Sequence, residues 1–136
     1  MHYEVDDDPV RIDLDAVCAF LTTEPYWGRW RTETVIRDQV RAAWRVVGAY
    51  TADGGQVGFA RAFSDSVSAA YLADVYVLDA HRGHGLGVRI IQRMIDEGPG
   101  AKFRWMLHTA DAHRLYRRFG FTEPSHTFLE RAADLP

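Results

Sequence analysis

Apolar residues recur along this chain with two different periods. In WRVVGAYTADGGQVGFARAF, residues 44 to 63, short apolar runs flank Asp53, Gly54 and Gly55, which supply the positive φ angles of a tight turn; the pattern predicts two strands joined as a hairpin. After the connection SDSVS, the run from Ala69 to Leu78 is nearly continuous apolar sequence, as expected of a central strand covered on both faces. The period then changes. Leu86, Ile90, Ile91, Met94 and Ile95 share one helical face while Arg89, Gln92 and Arg93 share the other, which predicts an amphipathic helix lying on a sheet and ended by EGPG.

The flanking segments complete the order. Residues 1 to 6 read as a short strand, Asp13 offers an N-cap to a helix over Leu14 to Leu21, and Thr32 offers one to a second helix whose apolar side is Val35, Ile36, Val40 and Ala43. FRWMLHT, residues 103 to 109, is a further strand. Ala112, Leu115, Tyr116 and Phe119 line a short helix that Asp111 can cap and that Gly120 can end in a left-handed conformation. A last strand is expected over Thr127 to Arg131. The order is strand, two helices, three mostly antiparallel strands, helix, strand, helix, strand, which is an α+β fold with helices packed on a mixed sheet.

Composition narrows the class. With 136 residues, 47% hydrophobic and 12% aromatic, the chain is expected to form one globular domain spanning residues 1 to 136. Cys18 is the only cysteine, which excludes an intrachain disulfide and a cysteine-based zinc cage; packing on a helix is its expected role. There is no apolar run near membrane-spanning length and the first residues are acidic, so a cytoplasmic location without membrane association is expected. The net charge of -3 argues against general nucleic-acid binding. Its distribution is uneven: from His81 to Arg118, eight basic residues face three acidic ones, giving +5 there and -8 elsewhere. An anionic ligand suits the first region and a cationic one the remainder.

HRGHGLG, residues 81 to 87, lies between the central strand and the amphipathic helix. A strand, a glycine-rich turn and a helix start together present unpaired N–H groups at the positive end of a helix dipole, a ready site for phosphate. A P-loop needs Lys-Ser/Thr after the last glycine, where this chain has Val88-Arg89. A dinucleotide fingerprint needs G-x-G-x-x-G in a parallel βαβ unit, whereas the spacing here is G-x-G-x-G after hairpin-connected strands. Arg82-x-x-Gly85-x-Gly87, by contrast, resembles the [QR]-x-x-G-x-[GA] pyrophosphate loop of the GNAT superfamily of N-acetyltransferases. YLADVYVLDAHRGHGLG resembles that family's central strand and loop, and AHRLYRRFGF its A-x-x-x-Y-x-x-x-G-F helix, so the resemblance spans about Tyr71 to Phe121.

The resemblance implies a GNAT-like fold and acetyl-CoA, or another short acyl-CoA, as co-substrate, with no metal and with direct attack of an amine on the thioester. It implies that the amides of Gly83, His84, Gly85, Gly87 and Val88 hold the pyrophosphate, with Arg82, Arg89 and Arg114 as contacts. The pantetheine arm would lie along the central strand at Val75 and Val77, and Thr109 stands where many relatives have a cofactor-binding asparagine. Tyr116 occupies the position of the tyrosine that protonates the leaving thiolate, although its place on an apolar stripe also suits packing. A homodimer is compatible with the family; nucleic acid is not an expected partner.

The base is less regular. Many relatives carry Glu-Asp on the central strand, where this chain has Ala73-Asp74. Burial would raise the pKa of Asp74 toward useful values, but strand alternation points it away from the side shared by Tyr71, Ala73 and Val75, and an arginine-paired structural role is the other reading. His108, ending the next strand, is a second candidate for the base, and an ordinary strand-end histidine is the other reading. His81, His84 and His113 show no metal spacing and read as surface groups. For the acceptor, the family's variable elements point to EPYWGRW with Tyr26, Trp27 and Trp30, and to Asp65 and Tyr71. The resulting expectation is an N-acetyltransferase acting on a small amine or an exposed protein amine; the alternative is a non-catalytic acyl-CoA-binding or sensing module.

Overall fold

The structure, a computed structural model, describes residues 2 to 24 and 31 to 135. Five strands form one sheet in the order β1 (Tyr3–Asp6), β2 (Arg45–Thr51), β3 (Gln56–Ser64), β4 (Ala69–Val77) and β5 (Arg104–Met106). The first four are antiparallel neighbours, and β5 runs parallel to β4. Among the described residues four α-helices accompany them: α1 (Leu14–Thr23), α2 (Glu33–Ala42), α3 (Leu86–Met94) and α4 (His113–Arg117). Asp13 and Thr32 cap α1 and α2 by accepting from Ala16 N and Val35 N, as the sequence predicts. No helix among the described residues is long and apolar enough to cross a membrane.

The two faces of the sheet bury different helices. Leu86, Ile90, Ile91 and Met94 of α3 pack on Val47, Ala49, Ala60, Ala62 and Leu72. Val17, Cys18, Phe20 and Leu21 of α1 and Ile36 of α2 cover Val46, Phe59 and Tyr76 on the other face, where Phe20 stacks on Tyr76 at 3.9 Å. Side chains from one strand can serve both layers because successive residues point to opposite faces.

Strand β4 breaks that alternation once. Phe59 pairs with Tyr76, but Arg61 pairs with Ala73, so Ala60 stands opposite both Asp74 and Val75. Asp74 absorbs the extra residue with φ of 56°, a left-handed conformation that aspartate tolerates better than most L-residues. The bulge changes the phase: Leu72 packs toward α3 before it, and Val75 and Val77 do so after it. Asp74 therefore reaches the same side as Tyr71 and Ala73, contrary to strict alternation.

Three further expectations are corrected. Strand β5 ends at Met106 rather than at Thr109, because its ladder with β4 consists of Ala69–Arg104, Ala70–Trp105 and Tyr71–Met106 and stops there. No strand forms over Thr127 to Arg131; residues 122 to 135 are exposed, and a strand-like composition makes a strand only where a neighbouring edge can pair with it. Ala112, not Asp111, is the N-cap of α4, and the hydroxyl of Thr109 accepts from Ala112 N at 3.1 Å. Gly120 follows α4 with φ of 86°, as expected.

Candidate active site

Past Tyr71, β4 continues to Val77 with no ladder partner on its β5 side among the described residues. Leu78 N donates to Val57 O of β3 at 2.8 Å, so by alternation the main-chain groups of Val77 and Val75 face the opposite, open edge. Val77 O there accepts from Arg82 Nε at 3.1 Å, and Arg82 also pairs with Asp79. An extended molecule laid along this edge would find strand-like donors and acceptors at Val75 and Val77.

The glycine loop adjoins the end of that edge. Gly83 and Gly85 have φ of 84° and 75°, and Gly85 is the residue from which α3 starts. The first main-chain bond of the helix runs from Arg89 N to Gly85 O, and the amides from Gly83 to Val88 donate to no acceptor among the described residues. Gly87 is informative because its conformation does not require glycine. It lies within α3, and a Cβ there would meet nothing within 4 Å. Glycine inside a helix costs up to about 1 kcal/mol relative to alanine, so space above the amide, rather than internal packing, accounts for it. This loop fits a pyrophosphate. His81 and His84 fasten it to β1: Tyr3 Oη and His81 Nδ1 are 2.9 Å apart, and the Tyr3 and His84 rings lie 5.5 Å apart. His81 is thus a tether rather than a solvated surface group. Arg89 donates to Tyr3 O at 3.2 Å.

A cleft of ≈ 510 Å³ lies between β5, α4 and the segment that follows, with Tyr71 as its one residue from β4. Tyr71, His108, Thr109, His113 and Tyr116 are among its lining residues. Tyr116 is 8% exposed and packs edge-on against Phe121 at 5.7 Å. Burial, with a smaller contribution from Asp111, pushes its phenol up to about 12. The hydroxyl oxygen of Thr109 accepts from Ala112 N ahead of α4, and its carbonyl lies 3.0 Å from His113 Nε2.

Asp74 is occupied by arginines. Arg31 donates to both carboxylate oxygens at 2.8 and 2.9 Å, and Arg61 Nε donates to Oδ2 at 2.7 Å. Burial pushes the carboxyl up, but Arg31 and Arg61 together outweigh it and hold its pKa below the usual value. The expected rise does not occur, and a carboxylate in this state has little affinity for a proton. Asp65 is likewise not available to an acceptor. It accepts from Ser68 Oγ and from the amides of Val67, Ser68 and Ala69, closing the β3–β4 turn.

Tyr71 has a different setting. It stacks on its cross-strand partner Phe63 at 4.9 Å, and its hydroxyl hydrogen-bonds His108 Nδ1, while His108 Nε2 pairs with Glu130. Phe63, Arg31, Arg61 and Glu130 were not singled out by sequence patterns. Their signal is three-dimensional, since each meets its partner through sheet register or from a distant segment. Tyr26, Trp27 and Trp30 lie outside the described residues.

The comparisons with known proteins agree with this fold. Residues 43–123 match the family model described as "Acetyltransferase (GNAT) domain". A protein of Gibberella zeae named "Putative acetyltransferase FG08082" is 26% identical, with 84% of this chain and 75% of that protein covered. Among solved structures, "a putative acetyltransferase belonging to the gnat family" from Xanthomonas campestris pv. campestris is 31% identical, covering 98% of this chain and 94% of that one, with a TM-score of 0.90. A "putative acetyltransferase" from Deinococcus radiodurans R1 is 25% identical over 95% of this chain and 88% of its own, with a TM-score of 0.73. The family match spans the hairpin, the bulged strand, the glycine loop and α4, and with it the chain belongs to the GNAT family of acetyltransferases.

Proposed function

We propose that the chain is an acyl-CoA-dependent N-acetyltransferase that moves an acetyl group from acetyl-CoA directly to an amine of a small molecule or an exposed protein amine. The observation that carries this reading is the loop from Gly83 to Val88: consecutive undonated amides at a helix start, with open space where Gly87 lacks a side chain. They would hold the pyrophosphate, with the positive end of the α3 dipole adding to the attraction. Val75 and Val77 would take the pantetheine arm along the open edge of β4. An amide on that edge would also stabilise the oxyanion formed when the amine attacks the thioester carbonyl.

The chemistry then divides among few groups. The amine must arrive without its extra proton; its nitrogen bonds to the carbonyl carbon, the C–S bond breaks, and the sulfur leaves with the electron pair. Tyr116 gives its hydroxyl proton to that sulfur as charge develops, and the proton that the acylated nitrogen sheds restores the phenol. The phenol, pushed up to about 12, remains protonated across the neutral range, and giving that proton to a thiolate whose acid titrates at about 8.5 is an uphill step. Thr109, at the mouth of α4, can add one hydroxyl hydrogen bond from the donor side. Asp74 has no part in proton transfer, because its carboxylate is held by Arg31 and Arg61.

Titration calorimetry with acetyl-CoA, followed by thiol release measured across a panel of amines, tests the reading. Binding together with release on at least one amine supports the transferase. Ala73, a methyl group where many relatives carry a glutamate, favours the alternative of a non-catalytic acyl-CoA-binding or sensing module, which would bind acetyl-CoA and release thiol with none of the amines.

A further inference from the structure

We infer that Tyr71, His108 and Glu130 form the proton relay that deprotonates the attacking amine, taking over the task for which Ala73 has no side chain. The inference rests on the transferase reading above and deepens it.

Three observations support the assignment. Tyr71 and Ala73 project from the same side of β4, since Tyr71 pairs with Phe63 and Ala73 with Arg61 ahead of the bulge. The Tyr71 hydroxyl is therefore two residues along the strand from the vacant position and faces the same layer. Second, the three groups are joined in series: the Tyr71 hydroxyl to His108 Nδ1, and His108 Nε2 to Glu130. In the tautomer this requires, Tyr71 O–H donates to Nδ1 and Nε2–H donates to the carboxylate. Third, Tyr71, His108 and Tyr116 all line the ≈ 510 Å³ cleft, so the group assigned to take a proton and the group assigned to give one border the same space.

Ion pairing separates Glu130 from the other carboxylates nearby. Asp74 is saturated by Arg31 and Arg61, and Glu123 is held by Arg117 at 2.8 Å, whereas Glu130 pairs with His108. The proton path is then complete. An ammonium N–H bond breaks toward the Tyr71 oxygen as the Tyr71 proton passes to His108 Nδ1. The imidazolium that results is stabilised by Glu130, and His108, 59% exposed at its side chain, returns the proton to water. Arg61 and Asp74 act on Tyr71 from the sheet, and Arg104, His113, Arg117 and Glu123 line the same cleft, so the pH response belongs to this whole set.

A fastening of the C-terminal segment onto β5 would use the same contacts, and the pH dependence of kcat/KM distinguishes the two. The test uses the full chain with acetyl-CoA and three amine classes, an aromatic monoamine, a polyamine and a peptide with a free α-amine, comparing wild type with Tyr71→Phe, His108→Gln and Glu130→Gln. Near neutral pH, His108→Gln and Tyr71→Phe lower kcat/KM by at least about tenfold, the lower range of general-base contributions. The deficit shrinks as pH rises and the amine loses its proton unaided, and acetyl-CoA affinity and melting temperature stay at wild-type values. A wild-type pH profile in His108→Gln or Tyr71→Phe, or a loss equal at every pH, overturns the relay while leaving the transferase intact. Thiol release from none of the amines by wild type overturns the transferase reading and the relay with it.

Discussion

Tyr71 and Asp74 stand three residues apart on β4, reach the same side of the sheet, and are opposite in condition. Asp74 is buried, accepts three hydrogen bonds from two arginines and turns the strand through a left-handed residue. Tyr71 borders a cleft and ends in a histidine and a carboxylate that water can reach. The contrast teaches which polar groups serve the fold and which are open to chemistry. A carboxylate that is rare in its surroundings attracts attention in a sequence, but here its rarity reflects the ion cluster that holds a bulged strand to the start of α2. Substitutions on the sealed side should therefore cost stability, and substitutions on the open side should cost function at constant or improved stability.

The largest effect is expected at Asp74. Asp74→Ala leaves Arg31 and Arg61 buried without their counter-charge and should lower unfolding free energy by about 3–5 kcal/mol in urea titration. A loss below about 1 kcal/mol, the range of an exposed pair, would break the comparison. Acid unfolding sharpens it. Because the folded carboxyl titrates below its ordinary 3.8, its stabilisation is present above about pH 4 and is lost as pH falls through the lower folded value. Asp74→Asn should flatten that part of the acid-stability curve.

Tyr116 comes next. Tyr116→Phe keeps the packing against Phe121 and should leave melting temperature and acetyl-CoA affinity unchanged while turnover falls by at least about tenfold. Unchanged turnover would return Tyr116 to a packing role. The smallest effect belongs to Glu130→Gln, which should change unfolding free energy by no more than about 0.5 kcal/mol because the group is exposed. A loss comparable to that at Asp74 would mark the Tyr71–His108–Glu130 chain as structural.

Much of this was legible in sequence, for reasons that individual residues make clear. The 3.6-residue spacing of Leu86, Ile90, Ile91 and Met94 and the caps Asp13 and Thr32 act locally, so α1, α2 and α3 stand where patterns put them. The glycine loop was legible because φ preference and open backbone are local properties. What escaped depends on pairing. The bulge at Asp74 exists only against Ala60, and Arg31 reaches Asp74 from 43 residues away. His108 could be seen as the end of a strand, but its contact with Tyr71 requires the parallel register that sets Tyr71 beside Met106. The strand expected over Thr127 to Arg131 failed for the same reason, since β5 is three residues long.

The central claim, that this chain is built around an acyl-CoA held by the amides of the glycine loop, is tested most directly at Gly87. Gly87→Ala adds a methyl group that meets no atom within 4 Å beyond its own stretch of helix and removes a glycine from a helix. The measurement is acetyl-CoA titration of wild type and variant, with thermal melting of both in the absence of ligand. The account predicts a variant more stable by up to about 1 kcal/mol that binds acetyl-CoA about tenfold more weakly, the equivalent of one charge-assisted hydrogen bond. Wild-type affinity in the stabilised variant would contradict it.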